Sequence, residues 1–494
     1  MRKYALVFDL GTGSLKASLY NEDGISLNSV IEDYPTYHRS NNIHEQDPDD
    51  WWFHLVSCTK RLIKDFDYVD DIVGIAISGH SLGIVPLDKE GHLLSHRVPI
   101  WSDSRADIEA DEFFKKVNNE EWFYQTGNGF PPALYPLFKI MWLKKNDNKL
   151  YEKTYKFIGT KDYLNYRLCG IVATDRSYAS GSGLYSLEKH HYIKEYAEVV
   201  GIDINKFPDI KKSDEAIGVI SNKIAKELGL PSDVKIFAGG VDNACMTLGA
   251  GCYQEGETYL SLGSSAWAAC SSSSPNLDYK KKVYAWEHVV EGMYVPSCGI
   301  FSAGTSLGWI KNVLLKMEGS YKDIDKMVKK APLGSNGVIF NPVMAKGCGV
   351  DASHNMKGSW VNFDLNTTKE DMLRSVFEGV AYDLDLAFQA LSNIKMVEPI
   401  RAVGGGSNSD IWVDIHANVL GIDIIVPNVK REAATLAAAG LVFKGMGIWK
   451  DYSVINRLTS DGKLYKKDLE KVKLYRQEKE RFMLICRQAT EAYK

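Results

Sequence analysis

The amino-acid sequence predicts an α/β protein made of two similarly built halves, and three observations carry this. The chain of 494 residues alternates short apolar, β-prone runs with longer helical patterns. It opens on a strand–turn–strand unit: Tyr4 to Phe8, the turn Gly11-Thr12-Gly13-Ser14, then Ala17 to Tyr20. The same plan returns in the second half, where a strand at 258–262 meets Gly263-Ser264-Ser265 and a further apolar stretch at 266–270. The two units read as a duplicated architecture. The change of domain falls between about 246 and 258, giving halves 1–250 and 251–494.

The elements follow in order. A hairpin-rich start over 4–34 gives way to a helix near 48–65. Asp47-Pro48 opens it, with Asp as N-cap and Pro in the first helical position. Trp51, Trp52 and Leu55 fall near one face of that helix and read as core. Ile72 to Ser78 is a buried strand, with helices expected over 104–117, 136–153 and from Thr160 to Leu168, the last closed by Gly170. A short helix at 222–229 and a strand from Val234 to Ala238 lead into Gly239-Gly240. In the second half, helices are expected near 305–316, 368–392 and 408–420, and a strand at 400–403 stops at Gly404-Gly405-Gly406. The charged C-terminal stretch reads as a surface helix, with Leu474, Phe482 and Leu484 as its candidate packing residues.

Composition narrows the function. Fifty-nine basic and 63 acidic residues give a net charge of -4, which offers no broad basic face for nucleic acid. No apolar run approaches the ~18 residues of a membrane helix, and the start lacks a signal-peptide pattern. The eight cysteines are scattered, with no Cys-x-x-Cys pair, as expected of reduced thiols in the cytoplasm. His92 and His96 have helical ligand spacing but follow the Lys89-Glu90-Gly91 turn, so they read as solvated loop residues.

Three Gly-rich elements call for one explanation. The turn at 11–14 joins strand to strand, unlike a P-loop or a dinucleotide fingerprint, which joins strand to helix. Its amides, with Thr12 and Ser14, can face a phosphate as a small nest. Asp9 ends the preceding strand, where a carboxylate can hold hydrated Mg²⁺, and Lys16 adds a cation nearby. Leu262-Gly263-Ser264-Ser265 is a second such turn. Val403-Gly404-Gly405-Gly406-Ser407-Asn408 leaves room for a flat ligand close to the backbone. Gly239-Gly240-Val241-Asp242-Asn243 places a carboxylate beyond a strand and at a helix start. Two phosphate turns, a carboxylate and a purine shelf suit nucleotide-dependent phosphoryl transfer.

With these pieces in order, the chain resembles the FGGY family of carbohydrate kinases over nearly its whole length. The matching segments are Asp9 to Ser14, Glu45-Gln46-Asp47-Pro48 with Trp51-Trp52, and Trp101-Ser102-Asp103-Ser104-Arg105. Lys161-Asp162-Tyr163-Leu164, Thr174-Asp175 with Ala179-Ser180-Gly181, and Gly240-Val241-Asp242-Asn243 follow. Leu262 to Ser265, Phe377-Glu378-Gly379 and Gly404 to Asn408 complete the set. The resemblance implies two actin-like (ribonuclease H-like) domains with the active site in the cleft between them. It also implies ATP and Mg²⁺ as cofactors, a small sugar or polyol acceptor, no nucleic acid or membrane partner, and leaves a homodimer open.

By position, the resemblance makes Asp242 the catalytic base and Asp9 the carboxylate near the metal. It makes Thr12, Gly13 and Ser14, with Lys16 nearby, the first phosphate loop, and Gly263 with Ser264 the second. Gly405, Gly406 and Asn408 match the adenosine motif; Trp101, Asp103, Arg105 and Asn243 belong to the acceptor side. Asp103 can equally cap a helix, and Arg105 can pair with it. The overall look is that of xylulokinases, with one departure. Their Gly-Gln-Met-His-Gly reads Gly79-His80-Ser81-Leu82-Gly83 here, so the sugar-touching His is Leu82. The segment His80, Ser81 and Leu82 is expected to line the acceptor side. An apolar Leu82 cannot hydrogen-bond a hydroxyl, so the acceptor stays open among a ketopentose, a tetritol or pentitol, a deoxy sugar and an autoinducer-type signal molecule. A non-catalytic nucleotide-binding actin-like protein is the remaining alternative.

Overall fold

The computed structural model describes residues 2–40, 42–344, 357–428 and 432–492. Two seven-stranded sheets organise them. The first half contributes β1 (Tyr4–Leu10), β2 (Ser14–Asn21), β3 (Ser26–Asp33), β4 (Ile72–Gly79), β5 (Ala216–Val219), β6 (Lys235–Phe237) and β7 (Gly240–Val241). Their order is β5-β6-β4-β1-β2-β3, with β7 also on β4. The second half contributes β8 (Glu257–Leu262), β9 (Ala266–Cys270), β10 (Tyr284–Glu287), β11 (Tyr294–Ile300), β12 (Val397–Val403), β13 (Ile424–Pro427) and β14 (Gly462–Tyr465), in the order β10-β11-β9-β8-β12-β13-β14.

The duplication is explicit in the pairing. β3-β2-β1 and β11-β9-β8 are each antiparallel, and β1-β4-β6 and β8-β12-β13 are each parallel. Each run then closes with an antiparallel strand, β5 or β14.

In β1 the side chains alternate between two cores, as strand geometry requires. Tyr4, Leu6, Phe8 and Leu10 enter one, where helix α1 (Pro48–Ile63) lays Trp51, Trp52 and Leu55 on the sheet. Asp47 caps α1 through the Asp49 amide. Ala5 and Val7 enter the other, which is filled from far along the chain. The further helices that bear on the site and its frame include α2 (Thr160–Cys169), α3 (Asp242–Gly249), α4 (Gly304–Trp309), α5 (Lys369–Phe388), α6 (Asp410–Leu420), α7 (Ala433–Gly445) and α8 (Leu469–Ala492). Leu436, Val442 and Phe443 of α7 pack with Ala5, Val7 and Phe237. The second half of the sequence therefore covers one face of the first sheet.

Three local expectations change. The helix expected over 136–153 is two, Pro136–Asn146 and Asn148–Lys153. Asp147 leaves helical geometry and caps the second. The helix expected at 104 starts at Asp107, and Asp103 does not cap it. On α8, Leu474 and Leu484 face solvent, while Val472, Tyr475, Phe482 and Cys486 make the buried stripe, because the stripe follows the helical repeat through 475 and 482.

Among the described residues, no helix is long and apolar enough to cross a membrane. The seven described cysteines are unpaired; Cys348 lies outside the described residues. His92 and His96 sit in a loop beside Asp88 and Asp47.

Candidate active site

The strand register builds the centre of the site. Parallel pairing sets Ser78 beside both Asp9 of β1 and Gly240 of β7, so the chain reaches Asp242 next to Asp9. Gly239 has φ +75°, and a Cβ there would lie 2.2 Å from the Ile77 carbonyl oxygen, so only glycine permits this approach. Asp242 is the first residue of α3, and its Oδ1 accepts from the Asn243 amide at 2.8 Å. A helix start alone favours the ionised carboxylate. Burial outweighs this, the Asp9 charge adds to it, and the Asn243 amide offsets only part, so Asp242 is pushed up to about 7. Asp9 accepts from Ser78 Oγ at 3.0 Å. Burial raises its pKa too, against the Ser78 bond and the Lys16 charge. Lys16 lies opposite Asp9 on β2, and burial lowers its pKa against the pull of Glu432 and Asp9.

Both hairpin turns are braced through their carbonyls. In the first, Gly11 N–H closes on the Ser14 carbonyl at 3.0 Å. The Tyr34 hydroxyl donates to the Gly11 carbonyl, and the Gln46 amide to that of Thr12. The Trp101 indole N–H donates to Thr12 Oγ1 at 2.8 Å. In the second, Gly263 N–H closes on the Ser265 carbonyl at 2.9 Å, and the start of α4 donates to the carbonyls of Gly263 and Ser264. The third Gly segment leaves β12 through Gly404, at φ +91°, into a tight turn Gly405–Asn408. Asn408 Nδ2 donates back to the Gly405 carbonyl at 3.0 Å.

A cavity of about 650 Å³ opens between the halves. Thr12, Ser81, Trp101, Asp242 and Asn243 line it from the first half, Ser265 and Trp267 from the second. Gly263 and Ser264 adjoin that wall through Ser265. Gly13, Ser14, Gly405, Gly406 and Asn408 are not among the residues lining the cavity, nor are Asp9 and Lys16, although the Asp9 charge reaches Asp242.

The acceptor-side segment splits. Ser81 reaches the cavity, but His80 and Leu82 do not. His80 is buried edge-on against Trp51, and burial pushes its imidazole down to about 3. Leu82 adopts φ +60° and packs in an apolar cluster with Ile84, Phe113 and Phe138. Leu82→His is therefore expected to cost about 1–3 kcal/mol, as an imidazole enters an apolar site. A denaturant melt checks this; unchanged stability with altered acceptor preference would put the side chain at the cavity wall.

Asp103 and Arg105 are also inside. Asp103 Oδ2 accepts from His44 N–H at 2.8 Å and from Arg105 Nη2 at 2.7 Å, and Arg105 also donates to Glu45 at 2.7 Å. Together they pin the loop that presents Trp101.

Sequence reasoning gave no role to a second buried network. Lys161 Nζ on α2 meets Asp162 at 2.5 Å, Asp175 at 2.9 Å and the Ala238 carbonyl at 3.0 Å. Asp175 accepts from the hydroxyls of Ser177 and Ser213, and Ser177 Oγ accepts from Val241 N–H at 2.9 Å. The residue before Asp242 is thus tied to a buried lysine. The signal was present in Lys161-Asp162 and Thr174-Asp175, but only the fold joins the two.

The comparisons agree with this geometry. Residues 4–249 match the FGGY family of carbohydrate kinases, N-terminal domain, and residues 258–446 match its C-terminal domain. The chain belongs to the FGGY family of carbohydrate kinases. A xylulose kinase from Staphylococcus xylosus is 28% identical over 445 residues, 88% of this chain and 91% of that protein. A gluconokinase from Bacillus subtilis (strain 168) is 25% identical over 449 residues, 89% and 86% of the two chains. The crystal structure of a ligand-bound xylulose kinase from Lactobacillus acidophilus superposes with a TM-score of 0.92 at 25% identity, covering 99% of each chain. This FGGY kinase is thus an enzyme of the sugar-kinase class, with ATP as the phosphoryl donor.

Proposed function

We propose that this FGGY kinase transfers the γ-phosphoryl group of ATP to a hydroxyl of a ketopentose, with Asp242 as the base that takes the hydroxyl proton. The observation that carries this is Asp242 on the cavity wall, with Asp9 behind it and a phosphate-type turn from each half beside it. Asp9 offers hard oxygen donors and would hold hydrated Mg²⁺, whose charge also offsets its repulsion of Asp242. That ion, when bound, neutralises phosphate charge. The protein's own part is to position the acceptor against Trp101 and Ser81, to hold the phosphates at Thr12 to Ser14 and Gly263-Ser264, and to accept the proton at Asp242. The reduced thiols suit a cytoplasmic setting. Among the described residues no histidine lines the cavity, so tetritols, pentitols and deoxy sugars are to be tested alongside. A coupled ADP-release screen over ketopentoses, pentitols, tetritols, glycerol and gluconate tests the reading; ATP binding without phosphorylation of any acceptor would overturn it.

The adenosine shelf has its own test. A Cβ built on Gly405 meets no heavy atom within 4 Å, so a side chain there fits the protein and intrudes only on a ligand. Gly405→Val is expected to weaken ATP binding by roughly tenfold or more, about 1.4 kcal/mol, with the melt unchanged. Calorimetry checks it, and an unchanged affinity would move the purine elsewhere.

A further inference from the structure

Lys139, on the helix Pro136–Asn146, is fully buried and makes no ion pair among the described residues. Its Nζ donates instead to two backbone carbonyls, Leu82 at 2.8 Å and Ile100 at 2.7 Å. The setting is apolar: Leu137, Phe138 and Ile140 of the same helix enter the cluster that holds Leu82. An apolar side chain would occupy such a place at less cost than an ammonium. Burial pushes the Lys139 ammonium down to about 7; Asp103 pulls the other way, and Arg105 adds to the fall. A neutral amine still keeps two N–H donors, one for each carbonyl, so the bridge holds with the proton on or off.

The two carbonyls adjoin the residues at the cavity wall. Leu82 follows Ser81, Ile100 precedes Trp101, and both Ser81 and Trp101 line the cavity. Lys139 does not line it. It borders a separate pocket of about 40 Å³ with Arg105 and Trp142, so it acts on an acceptor only through the two loops. The direct link between the loops is slight, a bond of 3.4 Å from Ile84 N–H to the Pro99 carbonyl. Leu82 is held at φ +60°, which a bulky side chain rarely keeps without support. Among the described residues Lys139 is the one donor to its carbonyl. The Ile100 carbonyl also accepts from Asp103 N–H at 3.1 Å, which closes the turn carrying Trp101.

We propose that Lys139 is a positioning residue for the acceptor: by bonding the Leu82 and Ile100 carbonyls together, it fixes Ser81 and Trp101 relative to each other at the cavity wall. This rests on the kinase reading above and adds a residue to its acceptor side. A hydroxyl must be held in line with the phosphoryl group, and a shift of a wall residue by an ångström or so costs much of that alignment. The lysine therefore serves the acceptor and not the nucleotide.

The test uses the full-length enzyme with ATP and D-xylulose, or whichever acceptor of the panel above turns over fastest, with rates normalised to folded protein. Lys139→Met removes the donors at nearly unchanged volume. It is expected to raise the acceptor KM by about tenfold or more, with kcat changing less and the ATP Kd within about twofold of wild type. The nucleotide is spared because Tyr34 and Gln46 brace the first phosphate turn without Lys139. Ile202→Ala, buried in the same cluster but bonded to neither loop, is expected to destabilise the fold and leave the acceptor KM unchanged. If Lys139→Met does not fold, Lys139→Gln is read by the same criteria, since its shorter amide keeps donors but not their reach. An acceptor KM within about twofold of wild type in the folded Lys139 variant, or an equal rise in Ile202→Ala, overturns the proposal, makes the lysine a structural residue and leaves the kinase reading standing. A loss located in the ATP Kd also overturns it, by placing the effect at the phosphate turns. Bound ATP with no acceptor phosphorylated removes both readings.

Discussion

Asp242→Asn is expected to lower kcat by about 10²–10⁴, the range for loss of a general base, while ATP binding and the melting temperature stay close to wild type. Asparagine keeps the side-chain shape and can still accept the Asn243 amide hydrogen, so the start of α3 is preserved. What it lacks is a basic oxygen at the cavity wall. The same assignment fixes a pH profile. The base works ionised, and burial with the neighbouring Asp9 pushes Asp242 up to about 7. kcat/KM should therefore rise with pH through that region and level off above it. Added Mg²⁺ relieves the repulsion from Asp9, so the acid limb should move to lower pH as Mg²⁺ is raised. Near-normal turnover in Asp242→Asn would remove the residue from the chemistry. A fall in stability with proportionate loss of activity would make it a structural helix-start residue instead.

Legibility in the sequence followed the range of the interaction. The two hairpins, α1 with its Asp47-Pro48 start and the strand ending at Gly239-Gly240 were readable because their signals are local: alternation, a cap, a glycine run. The helix break at Asp147 was missed because the same Asp that ends one pattern caps the next. Leu82 was assigned to the acceptor wall by its neighbours in the chain, yet its backbone takes φ +60° and turns the side chain into the apolar cluster. Asp103 and Arg105 look like binding residues in isolation. Only the approach of the strand Ile43–Gln46 shows that Glu45 and His44 occupy them. The packing of α7 on β1 links residues some 430 positions apart, which no window along the chain can contain.

Lys161→Met is expected to cost about 3–5 kcal/mol of stability, the range for breaking a buried ion pair from one side. Lys161 is fully buried between two buried carboxylates, Asp162 and Asp175. Burial works against its charge, but the two aspartates overcome that and hold the ammonium well above its ordinary pKa. Methionine fills much of the volume and leaves Asp162 and Asp175 facing each other without a counter-charge. Asn165 still donates to the Ala238 carbonyl at 3.0 Å, so the strand end is not left bare, and the cost lies in the charges. The effect should reach the chemistry as well. Asp175 orients Ser177, whose hydroxyl oxygen receives the Val241 amide immediately before Asp242. In the folded fraction kcat should fall while the ATP Kd holds, because the phosphate turns belong to other elements. Urea melts with activity normalised to folded protein separate the two effects. Adding Asp175→Asn to Lys161→Met should restore part of the stability, since it removes one uncompensated carboxylate, but not kcat, since Ser177 loses its charged partner. A loss below about 1 kcal/mol in the single variant would place Lys161 with solvent-exposed pairs. No recovery in the double variant would mean that packing, not charge, accounts for the loss.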